Sequence, residues 1–123
     1  MKQIIEKLIS LEREISSQRG ALALFCVFER EESPSLWDLV IAAPWVHRDH
    51  RKALDYVVKK IKKHLTVDEI LKISRVVLLK PSDAIVRTLN GAIQIEHGHT
   101  QLANCVFDGL HVKDAHIITS KGS

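Results

Sequence analysis

The chain of 123 residues contains few cysteines, glycines and aromatic residues. Its two cysteines, Cys26 and Cys105, are too few for a disulfide-rich scaffold. Both lie in apolar stretches, where a reduced thiol packs as a small hydrophobic side chain. The alternative is a single disulfide bond between the two cysteines. The five glycines form no phosphate-binding loop, and no serine occupies a glycine-flanked nucleophile elbow. These shortages disfavour disulfide-rich secreted proteins, common nucleotide-binding folds and α/β-hydrolases.

Long uncharged hydrophobic runs are also missing, since none approaches the ~20 residues that cross a bilayer. Residues 1–7 carry charges inside what would have to be the apolar core of a signal peptide. With 46% hydrophobic and 27% charged residues, the composition is that of a globular protein. We therefore expect one cytoplasmic domain covering residues 1–123.

Hydrophobic periodicity predicts an α+β fold with the element order α-β-β-α-α-β-α-β-β-β. An amphipathic helix is expected at residues 1–18, with Glu12 on its polar side and Gly20 as its stop. We expect a mixed, largely antiparallel sheet of about five to six strands, with three to four helices and a frayed tail at 120–123. The expected strands are 21–28, 36–43, 73–79 and three after residue 92, the first of them through Ile93, Ile95 and His97. The further helices are expected near 47–65, 66–72 and 82–91.

Positive charge is concentrated in residues 44–64, which contain seven Lys or Arg residues against two Asp. These cations avoid the apolar stripe of the predicted helix, so the face can neutralise phosphates or be an ordinary solvated face. Aromatic residues make up only 5% of the chain, which argues against a dedicated single-strand binder. The candidate nucleic-acid-binding residues are Arg48, Arg51, Lys52, Lys59, Lys62 and Lys63.

Two short histidine-containing clusters, residues 47–50 and residues 96–99, are the candidates for a catalytic or metal-binding site. Imidazole and carboxylate groups serve as acid–base catalysts and bind zinc, so convergence of the clusters would make a catalytic or metal site. No cofactor is otherwise expected; Zn or Mn is the metal such a site would take, with His97, His99 and His50 as ligand candidates. Alternatively, residues 96–100 form a simple polar turn. The candidate catalytic residues are His47, Asp49, His50, Glu96, His97 and His99, with Trp45 and Arg48 beside the first cluster.

The carboxylate of Asp38, inside a predicted strand, invites comparison with metal-dependent nucleotidyltransferases and nucleases, which bind Mg²⁺. Such sites need at least two converging acidic groups. Position 40 is Val40 rather than a second acid, so Asp38 is expected to be a hydrogen-bonded structural residue.

The favoured function is a non-enzymatic cytoplasmic binding or interaction domain that self-associates as a homodimer. The broad apolar stripe of the first helix motivates the homodimer, because a second copy could cover part of it. The alternative within a single molecule is that the first two long helices cover one sheet face and the last helix the other. Two further functions stay open. One is a small histidine- or metal-dependent hydrolase, conceivably a nuclease, and the other is a nucleic-acid-binding module built on the basic helix at 48–64.

Overall fold

The computed structural model describes residues 2–122 and has an α+β fold with four α-helices and one five-stranded mixed sheet. The helices are α1 (Lys2–Arg19), α2 (His50–His64), α3 (Val67–Ile70) and α4 (Ala84–Ala92), with a short 3-10 helix at Pro44–His47 before α2. The strands are β1 (Leu24–Arg30), β2 (Trp37–Ala42), β3 (Ile73–Leu79), β4 (Thr100–Phe107) and β5 (Leu110–Ser120).

The strand order across the sheet is β3-β2-β1-β5-β4. The β2–β3 pair is parallel, and every other neighbouring pair is antiparallel. This mixed and largely antiparallel arrangement confirms the fold class expected from the hydrophobic pattern.

Helices α1 and α2 cover one face of the sheet, and α4 covers part of the other. Alternate residues of β1 divide between two cores: Phe25 and Val27 pack towards α1 and α2, whereas Cys26 and Phe28 pack towards α4. The central strands are therefore buried on both faces, which explains why their sequences do not alternate between apolar and polar residues.

Local signals place the helix ends as expected. Gly20 follows α1 with a φ of +96°, and its N–H donates to the Ser16 carbonyl. The Asp49 carboxylate accepts from the Lys52 N–H at the start of α2. Thr66 and Glu69 form a reciprocal capping box around α3.

The prediction of a strand through Ile93, Ile95 and His97 is wrong. Ile95 pairs with Ser120 of β5 in an isolated bridge, and the Gly98 N–H donates to the Ile118 carbonyl, but these contacts do not continue into a strand. His97 then adopts a left-handed backbone, with a φ of +54°, which breaks any extended run. Residues 93–99 therefore form a loop beside the end of β5, and the sheet has five strands.

The end of the chain also differs from the expected frayed tail at 120–123. Ser120 is the buried last residue of β5, and the Lys121 N–H donates to the Ala23 carbonyl. The backbone hydrogen bonds hold this segment against the start of β1. Met1, expected in the helix at 1–18, and Ser123, expected in the tail, lie outside the described residues.

None of the helices among residues 2–122 has the length and apolar composition needed to cross a bilayer.

Candidate functional site

One end of the sheet contains a buried polar cluster and two surface depressions. The start of β1 meets the ends of β2, β3 and β5 there, because Leu24 pairs with both Ala42 and Ser120 and Ala42 pairs with Leu79. The loop at 93–99 lies beside the same end. We call this region the sheet-end site.

A fully buried carboxylate, Glu12, lies on the inner side of α1 in this site. Its Oε1 is 2.5 Å from His97 Nδ1, and its Oε2 accepts from the Thr119 hydroxyl at 2.9 Å. The Thr119 hydroxyl in turn accepts from the His97 backbone N–H at 3.1 Å. These contacts give both side-chain oxygens of Glu12 a hydrogen-bonding partner, as a buried polar group requires.

The expectation that Glu12 lies on the polar side of α1 is wrong, and the sequence contains a signal that could have corrected it. Leu8, Glu12 and Ile15 follow one another at spacings of four and three residues, so they share one helical face. A charged residue at that spacing inside an apolar stripe indicates a buried partner. The partner itself, 85 positions away, has no local signal.

His97 also lines a shallow depression of about 320 Å³, and its other ring nitrogen is Nε2. Nε2 lies 3.9 Å from a carboxylate oxygen of Glu96. With Nδ1 directed at Glu12, the geometry favours the tautomer or the imidazolium in which Nδ1 carries a proton. The lining residues are Arg13, Ser16, Ser17, Ala21, Glu96 and His97.

A larger cleft of about 830 Å³ adjoins this depression and shares Ala21 with it. Glu96 links the two, since it lines the depression and contacts the Lys121 Nζ at 3.3 Å. The cleft is lined by Ala21, Leu22, Ala23, Pro44, Pro81, Ser82, Arg87, Asn90, Gly91, Gln94, Lys121 and Gly122. None of these side chains is acidic.

The expected clusters at 47–50 and 96–99 have different surroundings. His47 ends the 3-10 helix, Asp49 caps α2 and His50 is its first residue. Within residues 2–122, no hydrogen bond or ion pair joins any of these three to residues 96–99.

Within the second cluster, the side chains of His97 and His99 do not share one partner. His97 contacts Glu12, whereas His99 Nε2 is 2.8 Å from His116 Nδ1 and the two rings stack. Among the described residues, 2–122, no group of three or more His, Cys, Asp or Glu side chains has the geometry of a metal site. The Zn or Mn site at His97, His99 and His50 stays a prediction.

His116 is a buried histidine whose role the sequence pattern did not single out. Its ring packs on Trp37, with centroids 5.3 Å apart, and its Nε2 lies 3.4 Å from an Asp114 oxygen. Burial lowers the pKa of His116, and the neighbouring His99 lowers it further, while Asp114 opposes both effects. The pair with His99 holds the beginning of β4 against β5.

Asp38 is buried in β2 and makes two ion pairs. Its Oδ2 is 2.7 Å from Arg30 Nε and 3.1 Å from Arg75 Nε. A buried carboxylate paired in this way is a structural residue of the sheet, as the sequence pattern indicated.

The candidate cations Arg48, Arg51, Lys52, Lys59, Lys62 and Lys63 are all exposed. Lys63 contacts Glu14 of α1 at 2.6 Å, whereas the other five make no ion pair within residues 2–122. The three contacts of Glu14, led by Lys63 and including His64 and Lys60, lower its pKa to about 2. We call the exposed cations of residues 48–63 the basic face.

Trp45 and Tyr56, the aromatic residues nearest the basic face, contact each other and the Arg19 guanidinium. The Tyr56 hydroxyl also donates to Gln18. Their rings are engaged by α1, so they are poorly placed to stack on nucleobases.

A comparison of the chain with protein-family models, curated proteins and solved structures finds no match.

Proposed function

We propose that the protein is a non-enzymatic binding domain that self-associates as a homodimer through the open edge of β3. The observation that carries this proposal is the composition of that edge. Four consecutive apolar residues, at positions 76–79, are only half-buried, although β3 belongs to the core sheet. An edge strand of this kind exposes both unpaired backbone groups and apolar side chains.

The two edges of the sheet differ in how they are protected. On β4, Asn104 has a φ of +52° and interrupts the extended backbone, and the exposed side chains include Gln101 and Asn104. The exposed residues of β4 also include Val106, so the irregular backbone is the feature of this edge that discourages pairing with another chain. On β3 the only charged residue is Arg75, which forms an ion pair with Asp38 of the neighbouring strand.

A second copy of the chain is the occupant that suits the β3 edge. Two copies of β3 running antiparallel place apolar side chains opposite apolar side chains on both faces. The same surface serves both protomers, so the pair closes after two subunits. The helix α1, which first suggested a dimer, contributes less, because its main apolar stripe is buried against the sheet.

The test is light scattering on the wild type and on two matched variants. The wild type is expected at twice the chain mass of 13.9 kDa. Val76→Lys places a charge on the β3 edge and is expected to give a monomer, whereas Val106→Lys on the β4 edge leaves the dimer intact. A wild-type monomer at high protein concentration, or equal effects of the two variants, would contradict the proposal.

A second candidate function, binding of duplex nucleic acid, is favoured by the basic face. Five exposed cations that make no ion pair within residues 2–122 can each neutralise a phosphate, and the affinity for nucleic acid then falls steeply with salt. The scarcity of free aromatic rings favours duplex over single-stranded partners.

Fluorescence anisotropy with DNA and RNA duplexes of about 20 base pairs, at low and moderate salt, tests this candidate. Lys59→Glu/Lys62→Glu is expected to weaken binding at least about tenfold. The control Lys2→Glu/Lys80→Glu changes the net charge equally at exposed sites off the basic face. Absence of binding at micromolar protein, or equal weakening by both double variants, would refute the candidate.

A further inference from the structure

The geometry points to the larger cleft of the sheet-end site as a binding site for a small organic anion, one that carries a phosphate or carboxylate group on an apolar body. This site is separate from both the β3 edge and the basic face. Its argument uses the shape of the cleft, its charge and the rigidity of its walls.

The shape of the cleft suits a small molecule. Its volume of about 830 Å³ lies within the range of about 300–1,000 Å³ that ligand pockets occupy. Part of its lining is apolar and consists of Leu22, Pro44 and Pro81 together with two alanines. Pro44 and Pro81 follow the ends of the parallel strands β2 and β3, an arrangement that leaves a crevice beyond the strand ends.

The charge of the cleft is positive. Arg87 and Lys121 line it, and no acidic side chain does. Within residues 2–122, Arg87 makes no ion pair, whereas Lys121 contacts Glu96 at 3.3 Å. A planar guanidinium without an acidic partner suits a bidentate hydrogen bond to a phosphate or carboxylate. The hydroxyl of Ser82 offers a further polar contact.

Hydrogen bonds hold the wall that carries Arg87 in place. Asn90, one helical turn after Arg87 in α4, donates to the Ala23 carbonyl at 3.0 Å and to the Ser120 hydroxyl at 2.9 Å. These bonds tie α4 to the start of β1 and the end of β5. A wall that is already ordered saves the entropy that binding would otherwise cost.

Isothermal titration calorimetry with three probes of similar size tests whether the cleft binds a small organic anion. Phenyl phosphate and benzoate carry the two candidate acid groups, and phenol carries neither. We expect saturable binding of at least one anion and none of phenol, and the stronger anion identifies the acid group that the cleft prefers.

Substitution then locates the binding. Arg87→Gln is expected to weaken binding of the preferred anion about tenfold, because a charge-assisted hydrogen bond is lost. The control Lys2→Gln removes an equal charge from α1, outside the cleft and off the basic face, and is expected to leave the affinity unchanged. Binding of neither anion at about 10 mM, a level that reveals even very weak affinity, would overturn the assignment. So would equal affinities of the wild type and Arg87→Gln.

Discussion

Glu12 and His97 are separated by 85 positions, and their contact joins α1 to the loop that precedes β4. The loop residue pays a conformational cost, since His97 has a positive φ. Both the carboxylate contact and the bond from its own N–H to Thr119 hold it there. At the scale of single residues, a buried polar cluster thus determines where an irregular segment lies.

Removal of the Glu12 carboxylate is expected to destabilise the protein strongly. Glu12→Ala leaves the Thr119 hydroxyl and the His97 ring without their acceptor, so the free energy of unfolding should fall by about 2–4 kcal/mol. Urea unfolding measures this change. The exposed Glu6 of the same helix provides the control, and Glu6→Ala should change the unfolding free energy by less than about 0.5 kcal/mol. Equal effects of the two variants would show that the cluster does not contribute.

The His116 ring makes stability depend on pH in a defined direction. Burial lowers its pKa in the folded protein below the unfolded value of about 6.5. The unfolded chain therefore takes up a proton at a higher pH than the folded chain does. The contribution is fully present above about pH 6.5 and is lost as the pH falls through the folded pKa.

Urea unfolding at a series of pH values checks this expectation for His116. The wild type should lose stability below about pH 6.5, and His116→Gln should lose less over the same interval. His111→Gln, at an exposed histidine of the same strand, should keep the wild-type profile. Identical pH profiles for the wild type and His116→Gln would count against the expectation.

At the scale of helices and strands, local residue chemistry determines where most elements begin and end. Tertiary packing determines where a segment departs from the structure that its local pattern predicts. The capping box of α3 and the Gly20 stop of α1 are both legible in the sequence. The run 73–79 was expected as a strand with the bounds it has. In contrast, the alternation of Ile93, Ile95 and His97 indicates a strand that does not form, because the cluster around Glu12 fixes another backbone shape.

Two glycines have open space around the position of an added Cβ. Substitution by alanine is expected to lower the stability of the protein at one of them and to raise it at the other. Gly20 has a φ of +96°, so Gly20→Ala should cost about 1 kcal/mol. Gly91 lies within α4 without a positive φ, so Gly91→Ala should stabilise by about 0.5–1 kcal/mol. The comparison of their thermal midpoints checks both signs, and each variant is the control of the other. Shifts in the same direction would contradict this assignment of backbone strain.

At the scale of the whole molecule, the sheet has one protected edge and one open edge. Only folded chains can pair through the open edge of β3. Dimerisation would therefore shift the folding equilibrium towards the folded state by mass action. The thermal midpoint of the wild type is therefore expected to rise with protein concentration. Scanning calorimetry at several concentrations measures this, and Val76→Lys should show a midpoint that does not vary with concentration. A wild-type midpoint independent of concentration would argue against the dimer.

Much of the fold follows from local properties that the chain carries residue by residue. Apolar spacing, capping residues and turn residues specify the helices and most strands, because each acts within a few positions. The exposure of the basic face follows in the same way, since its cations lie off the apolar stripe of α2. Even the burial of the Glu12 carboxylate is indicated locally, because Glu12 lies at helical spacing between Leu8 and Ile15.

The sheet-end site depends on contacts that no local pattern contains. Glu12 meets His97 and Thr119, and Asn90 meets Ala23 and Ser120, only because the strand order brings their elements to one end of the sheet. The cleft beside Arg87 arises from the same convergence. Periodicity thus specified most of the helices and strands of this protein, whereas long-range packing specified its sites. The physical reason is that the spacing around a residue does not identify a partner dozens of positions away.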